Sequence, residues 1–142
     1  MFASLTSLTS LTASPLFLRR VLLLDTLSCA ACGLPQLLLN ASLAQWLGLP
    51  AALLTGTGVF LLVYAAAVAF IATRPVLPRP LVWVLVAGNL IWAVDCVLLL
   101  ASGWLAPTAL GTAYVLVQAV TVTVLGELQW LGLRGRGARA AW

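Results

Sequence analysis

Four apolar runs, at about residues 16–39, 51–73, 81–102 and 107–130, follow one another along the chain, each punctuated by proline, arginine or a Ser-Gly pair. None alternates apolar with polar residues, so strands with one wet face are excluded. Each run has 20 residues or more. At about 1.5 Å rise per residue, that length crosses a hydrocarbon core of about 30 Å. Lipid offers the backbone no hydrogen-bond partners, so spans of this kind satisfy themselves as helices. The pattern predicts an all-α protein, a four-helix transmembrane bundle running up, down, up and down.

Prolines set most of the boundaries. Pro15 suits the first turn of span 1. Pro35 removes a backbone donor near its far end and leaves two alternatives. Either the helix kinks there and runs to Leu39, or it ends and Ala41–Leu49 forms a short helix along the interface, where Trp46 fits the headgroup level. Pro50 opens span 2, the Arg74–Pro80 segment is a stiff turn, and Pro107 opens span 4. Residues 15–132 then form one membrane domain, after a Ser-Leu-Thr leader at 1–14 that is disordered or interfacial, and before a basic tail at 133–142.

Composition agrees with the pattern: 63% of residues are hydrophobic and 7% charged. A soluble domain carries about 25% charged residues, and fewer cannot cover a surface in water. All seven basic residues are arginine, which with abundant Ala, Leu and Gly is the pattern of a GC-rich bacterial genome. Arg19, Arg20, Arg74, Arg79, Arg134, Arg136 and Arg139 all fall on one side if the chain alternates, and the 1–2 and 3–4 connections carry none. The positive-inside rule makes that side, with both termini, cytoplasmic. Trp83 and Trp130 then mark the inner interface, Trp46 and Trp104 the outer one. The segments beginning at Trp46 and Trp104 resemble each other across small gaps, as two like hairpins would.

Ionisable and amide side chains at membrane depth are the candidate chemistry. Asp25 lies about 9 Å inside the cytoplasmic boundary and Asp95 roughly 12 Å inside the outer one by helical rise. Asp25, Cys29, Cys32 and Gln36 recur at helical spacing on one face of span 1. Gly88, Trp92, Asp95, Leu99 and Ser102 share a face of span 3, with Asn89 and Cys96 at its margin. Span 4 presents Gly111, Tyr114, Gln118 and Thr121, and span 2 presents Thr57, Phe60 and Tyr64. These faces are expected to turn inward, because a buried polar group needs a partner that lipid lacks. Asp25, Asn89, Asp95 and Gln118 form the candidate polar site, centred on Asp95 and Asn89. Gly58, Ala65, Ala69 and Ala72 give span 2 a small-residue face for close packing.

Several function classes fall away. With no histidine, a zinc site built on Cys29 and Cys32 has no partners, and histidine base catalysis and histidine-ligated haem are excluded. Neither a phosphate-binding glycine loop nor a nucleophile elbow is found. No cofactor, metal or nucleic-acid partner is expected, since positive-inside anchoring accounts for the basic tail. Three classes remain: a non-enzymatic accessory or scaffold that packs against itself or a membrane-protein partner, a small proton-linked carrier using the polar site, and a redox-associated protein using Cys29 and Cys32.

The chain also resembles small four-helix bacterial inner-membrane proteins of the DoxX-like kind. The resemblance rests on Gly48-Leu49-Pro50, the Ala-rich stretch ending Thr73-Arg74, Asn89 and Trp92 three residues apart, and Glu127-Leu128-Gln129 before the arginine tail. It implies a four-span fold and, through some members, a link to quinone or thiol redox systems. Here that link rests on Cys29 and Cys32 alone.

Overall fold

A computed structural model describes residues 14–137. Five helices run through them: α1 (Pro15–Leu38), α2 (Asn40–Leu47), α3 (Ala51–Ala72), α4 (Arg79–Ala101) and α5 (Ala109–Gly137). Four of these, α1, α3, α4 and α5, are long and apolar enough to cross a membrane. Their outward faces are apolar almost throughout, as Leu27, Val63, Val84 and Val120 illustrate. The chain is an all-α, multi-pass membrane protein. The leader expected at 1–14 lies outside the described residues except for Ser14, whose hydroxyl accepts a hydrogen bond from Leu16 N and caps α1.

Both alternatives at Pro35 hold in part. The helix continues through Pro35 to Leu38, and a separate short helix, α2, follows from Asn40. Pro35 loses its own donor, but its carbonyl still accepts from Leu39 N at 2.8 Å. Asn40 secures the corner by donating to the carbonyls of Gln36 and Ala51 and to Thr55 Oγ1. Gly48 ends α2 at φ 64°, a left-handed conformation that a side chain would oppose. At the other end of the chain α5 runs to Gly137, past the boundary near residue 130 expected from hydropathy.

The four spans form a ring. α1 packs closely along α3, and α4 along α5; α1 also meets α5. α3 and α4 approach each other mainly through side chains, with the Phe60 and Trp92 rings stacked at 5.3 Å between them. The α1–α3 contact is tight because both sides are small. A Cβ on Gly33 would stand 3.0 Å from the Gly58 carbonyl oxygen, and one on Gly58 3.1 Å from Gln36 Cβ. Gly58→Ile is therefore expected to destabilise the fold by about 2 kcal/mol. Gly56→Ile, outward with nothing within 4 Å, should change it by less than about 0.5 kcal/mol. Unfolding by SDS titration in mixed micelles compares the two; equal effects would refute the close crossing.

Each end of the bundle is tied by polar groups. At the arginine end, Arg19 Nη2 donates to the carbonyls of Arg74 (2.8 Å) and Pro75 (3.4 Å), holding the α3–α4 turn. At the opposite end, Thr108 N–H donates to Leu47 O (3.0 Å) and its hydroxyl to Trp46 O (2.7 Å). The same hydroxyl accepts from Gly111 N, so one threonine caps the start of α5 and the end of α2 together. Thr108, rather than the preceding Pro107, caps the start of the last helix at Ala109.

Candidate functional site: a buried carboxyl shared by four helices

Along α1 the inward face alternates between apolar and polar layers. Leu18 and Leu22 join a cluster with Val68, Val82, Val86 and Leu133 at the arginine end. Asp25 follows, then Cys29 with Leu61 and Ala65, then Gln36, then an apolar cluster around Leu47, Leu54 and Val115. The i, i+4, i+7, i+11 spacing of Asp25, Cys29, Cys32 and Gln36 makes this layering possible. Asp25, Cys29 and Gln36 are buried and Cys32 is half-buried.

Asp25 is fully enclosed, at 0% exposure. Its Oδ2 receives Gln129 Nε2 at 2.6 Å, Asn89 Nδ2 at 3.0 Å and the Tyr64 hydroxyl at 3.4 Å. Its Oδ1 receives the Cys29 thiol at 3.7 Å. Asn89 Nδ2 also lies 3.3 Å from Gln129 Oε1. The carboxyl on α1 thus gathers one donor each from α3, α4 and α5, and every one of these partners is neutral. Enclosing such a group is costly unless its lone pairs are met, and here donors from all four spans meet them.

Nearer the other end, Gln36 Nε2 pairs with the Tyr114 hydroxyl at 2.8 Å, and Thr57 Oγ1 with Gln36 Oε1 at 2.8 Å. This joins α1, α3 and α5. Between the two polar layers Trp92 Nε1 donates to Gln118 Oε1 at 3.4 Å. Among the described residues one buried side-chain oxygen, Thr26 Oγ1, lacks a partner. Three voids of about 50, 40 and 60 Å3 adjoin Trp92, each with room for a water or two, and their walls are largely apolar.

The candidate residues therefore separate. Asn89 joins Asp25 directly, while Gln118 is half-buried and paired with Trp92. Asp95 corrects the expected geometry: it faces outward and lies outside both polar layers. The inward face of α4 carries Val82, Leu85, Val86, Asn89 and Cys96, rotated from the face expected through Gly88 and Asp95. Cys29 and Cys32 are free thiols. Among the described residues no three His, Cys, Asp or Glu side chains gather as a metal site.

Two members of the central cluster, Gln129 and Tyr64, were not assigned to it from the sequence. Hydropathy puts Gln129 at the edge of span 4, one residue before its expected end near residue 130. A signal was there: Gly111, Val115, Gln118, Val122, Leu125 and Gln129 follow helical spacing, and most of them are buried. Comparison with protein-family models, curated proteins and solved structures finds no match.

Proposed function

We propose that this chain is a non-enzymatic accessory or scaffold protein of a bacterial inner membrane, with both ends cytoplasmic. The observation that carries the reading is that the inward polar side chains are spent on one another. Asp25, Tyr64, Asn89 and Gln129 close one set; Gln36, Thr57 and Tyr114 close another. A carrier needs a continuous polar path; here the Cys29, Leu61 and Ala65 layer lies between the two polar sets, the Trp92–Gln118 pair beside it is spent on itself, and the voids stay near 40–60 Å3. Interhelical pairing of this kind fixes which helix faces meet. Arg19, Arg74 and Arg79 gather at one end, which supports a cytoplasmic placement of that end.

The test is proton flux. Purified protein in vesicles carrying a pH gradient is expected to dissipate it no faster than empty vesicles. A flux that Asp25→Asn abolishes would replace the scaffold reading with the carrier. For the redox class, Cys29→Ser with Cys32→Ser should leave cellular abundance and detergent stability within experimental error of the parent. A thiol-dependent loss of either would count against the scaffold.

A further inference from the structure

The second aspartate has no partner of its own. Asp95 stands on α4 six residues before the helix ends at Ala101 (101 − 95), about 9 Å along the axis by helical rise. It faces outward beside Ile91, Val94 and Leu98, and no hydrogen bond or ion pair reaches its carboxyl among the described residues. A carboxyl turned toward hydrocarbon is costly, and aspartate's single methylene cannot carry it to the headgroups as a lysine stem would. The carboxyl of Asp25, by contrast, is met by donors from all four spans.

Its surroundings have a shape. Gly88, two turns earlier on the same flank of α4, has Tyr64 of α3 as its nearest neighbour, so this flank turns toward α3. The Phe60–Trp92 stack bridges the two helices. One turn nearer the outer end, α3 presents Gly56, with nothing within 4 Å of a Cβ there, and α4 presents Asp95. The outer half of the α3–α4 junction is therefore a groove, bounded toward the middle of the bundle by the aromatic stack, with a bare glycine on α3 and a lone carboxyl on α4.

We infer that this groove docks a transmembrane helix of a different membrane protein, one carrying a lysine or arginine in its outer half. Charge complementarity selects the occupant. A second copy of this chain has no cation to offer at that depth, because its basic residues are seven arginines confined to positions 19–20, 74–79 and 134–139. The glycine wall allows the close approach that helix pairs in lipid require. The inference rests on the accessory reading above and specifies the partner's chemistry.

Site-specific photo-cross-linking of the full chain in cells tests it, with the cross-linking residue at Ile91 or Leu98 beside the groove, or at Val117 or Val120 on the outward face of α5. Adducts are expected at 91 and 98, with a sequenced partner peptide bearing Lys or Arg within a membrane span. Asp95→Leu should reduce them about tenfold, the factor that ~1.4 kcal/mol produces. Replacing the partner's basic residue by leucine as well should restore them. Asp95→Asn, which keeps the side chain's size, replaces Asp95→Leu if the latter fails to accumulate. A peptide without a basic residue, a peptide from this chain itself, or adducts indifferent to Asp95 would each overturn the inference. Adducts confined to 117 and 120 would overturn it while sparing the accessory reading. Adducts at none of the four positions would remove both.

Discussion

Asp25→Ala is expected to lower the free energy of unfolding by about 3 kcal/mol, since the buried Gln129 and Asn89 amides and the half-buried Tyr64 hydroxyl lose this acceptor at roughly 1 kcal/mol each. An average interhelical hydrogen bond in a membrane protein is worth only about 0.6 kcal/mol, because the unfolded helix finds other partners in the membrane. Asp25 exceeds that average for a geometric reason. Its Oδ2 alone accepts from Asn89, Gln129 and Tyr64, and Gln129 and Asn89 are so enclosed, at 0% and 3% exposure, that water cannot replace it. The asymmetry of buried polar groups gives a second expectation: Asp25→Leu, Tyr64→Phe, Asn89→Leu and Gln129→Leu together should cost less than Asp25→Ala alone, because none of the three donors to Oδ2 is left orphaned. SDS titration in mixed micelles measures both. A change below about 0.5 kcal/mol for Asp25→Ala would show that the carboxyl does not hold the bundle together.

Gly111→Ala should be at least as damaging, at about 3 kcal/mol. A Cβ at Gly111 would overlap the Leu47 carbonyl oxygen, which is backbone and cannot swing aside. That same carbonyl accepts from Thr108 N–H, so displacing it breaks the cap linking α2 to α5. The natural control is Gly103→Ala, at a turn with nothing within 4 Å, where the strain is the positive φ of 69° alone. That change should cost about 1 kcal/mol. Thermal unfolding in detergent, read as loss of the monodisperse peak, would rank them; Gly103→Ala matching or exceeding Gly111→Ala would contradict the close approach.

Much of this architecture was legible in the residues. Length and apolarity place four spans, and the prolines and arginines place the helix ends to within two residues, except that the last helix runs seven residues past 130 to Gly137. The small-residue face through Gly58, Ala65 and Ala72 is buried as expected. So is the α1 stripe through Asp25, Cys29 and Gln36, because a residue of that polarity has nowhere else to find a partner in lipid. What failed was rotation about an axis. On α4, Asn89 and Asp95 lie six residues apart, which is 120° around a helix at about 100° per residue, so both cannot face one centre. The sequence offered two polar residues and no local reason to prefer either. The choice is made at long range: Asn89 faces Asp25 and Gln129, whose positions depend on helices 64 and 40 residues away in the chain. Gln129 was hidden for a different reason. Hydropathy falls in the arginine-bearing tail while the backbone remains helical to Gly137, so the buried face extends further than the apolar run.

Arg19 carries two duties that are separable in chemistry. Its positive charge helps decide which way the chain is threaded during insertion, a choice made before any tertiary contact exists. One guanidinium nitrogen, Nη2, later reaches two successive carbonyls, those of Arg74 and Pro75, across 55 residues of chain. A lysine would keep the first duty, as a point charge, and hold the second less rigidly from its flexible stem. The signal read by the insertion machinery and the clasp that closes the finished turn are thus written in one side chain, in two different physical languages.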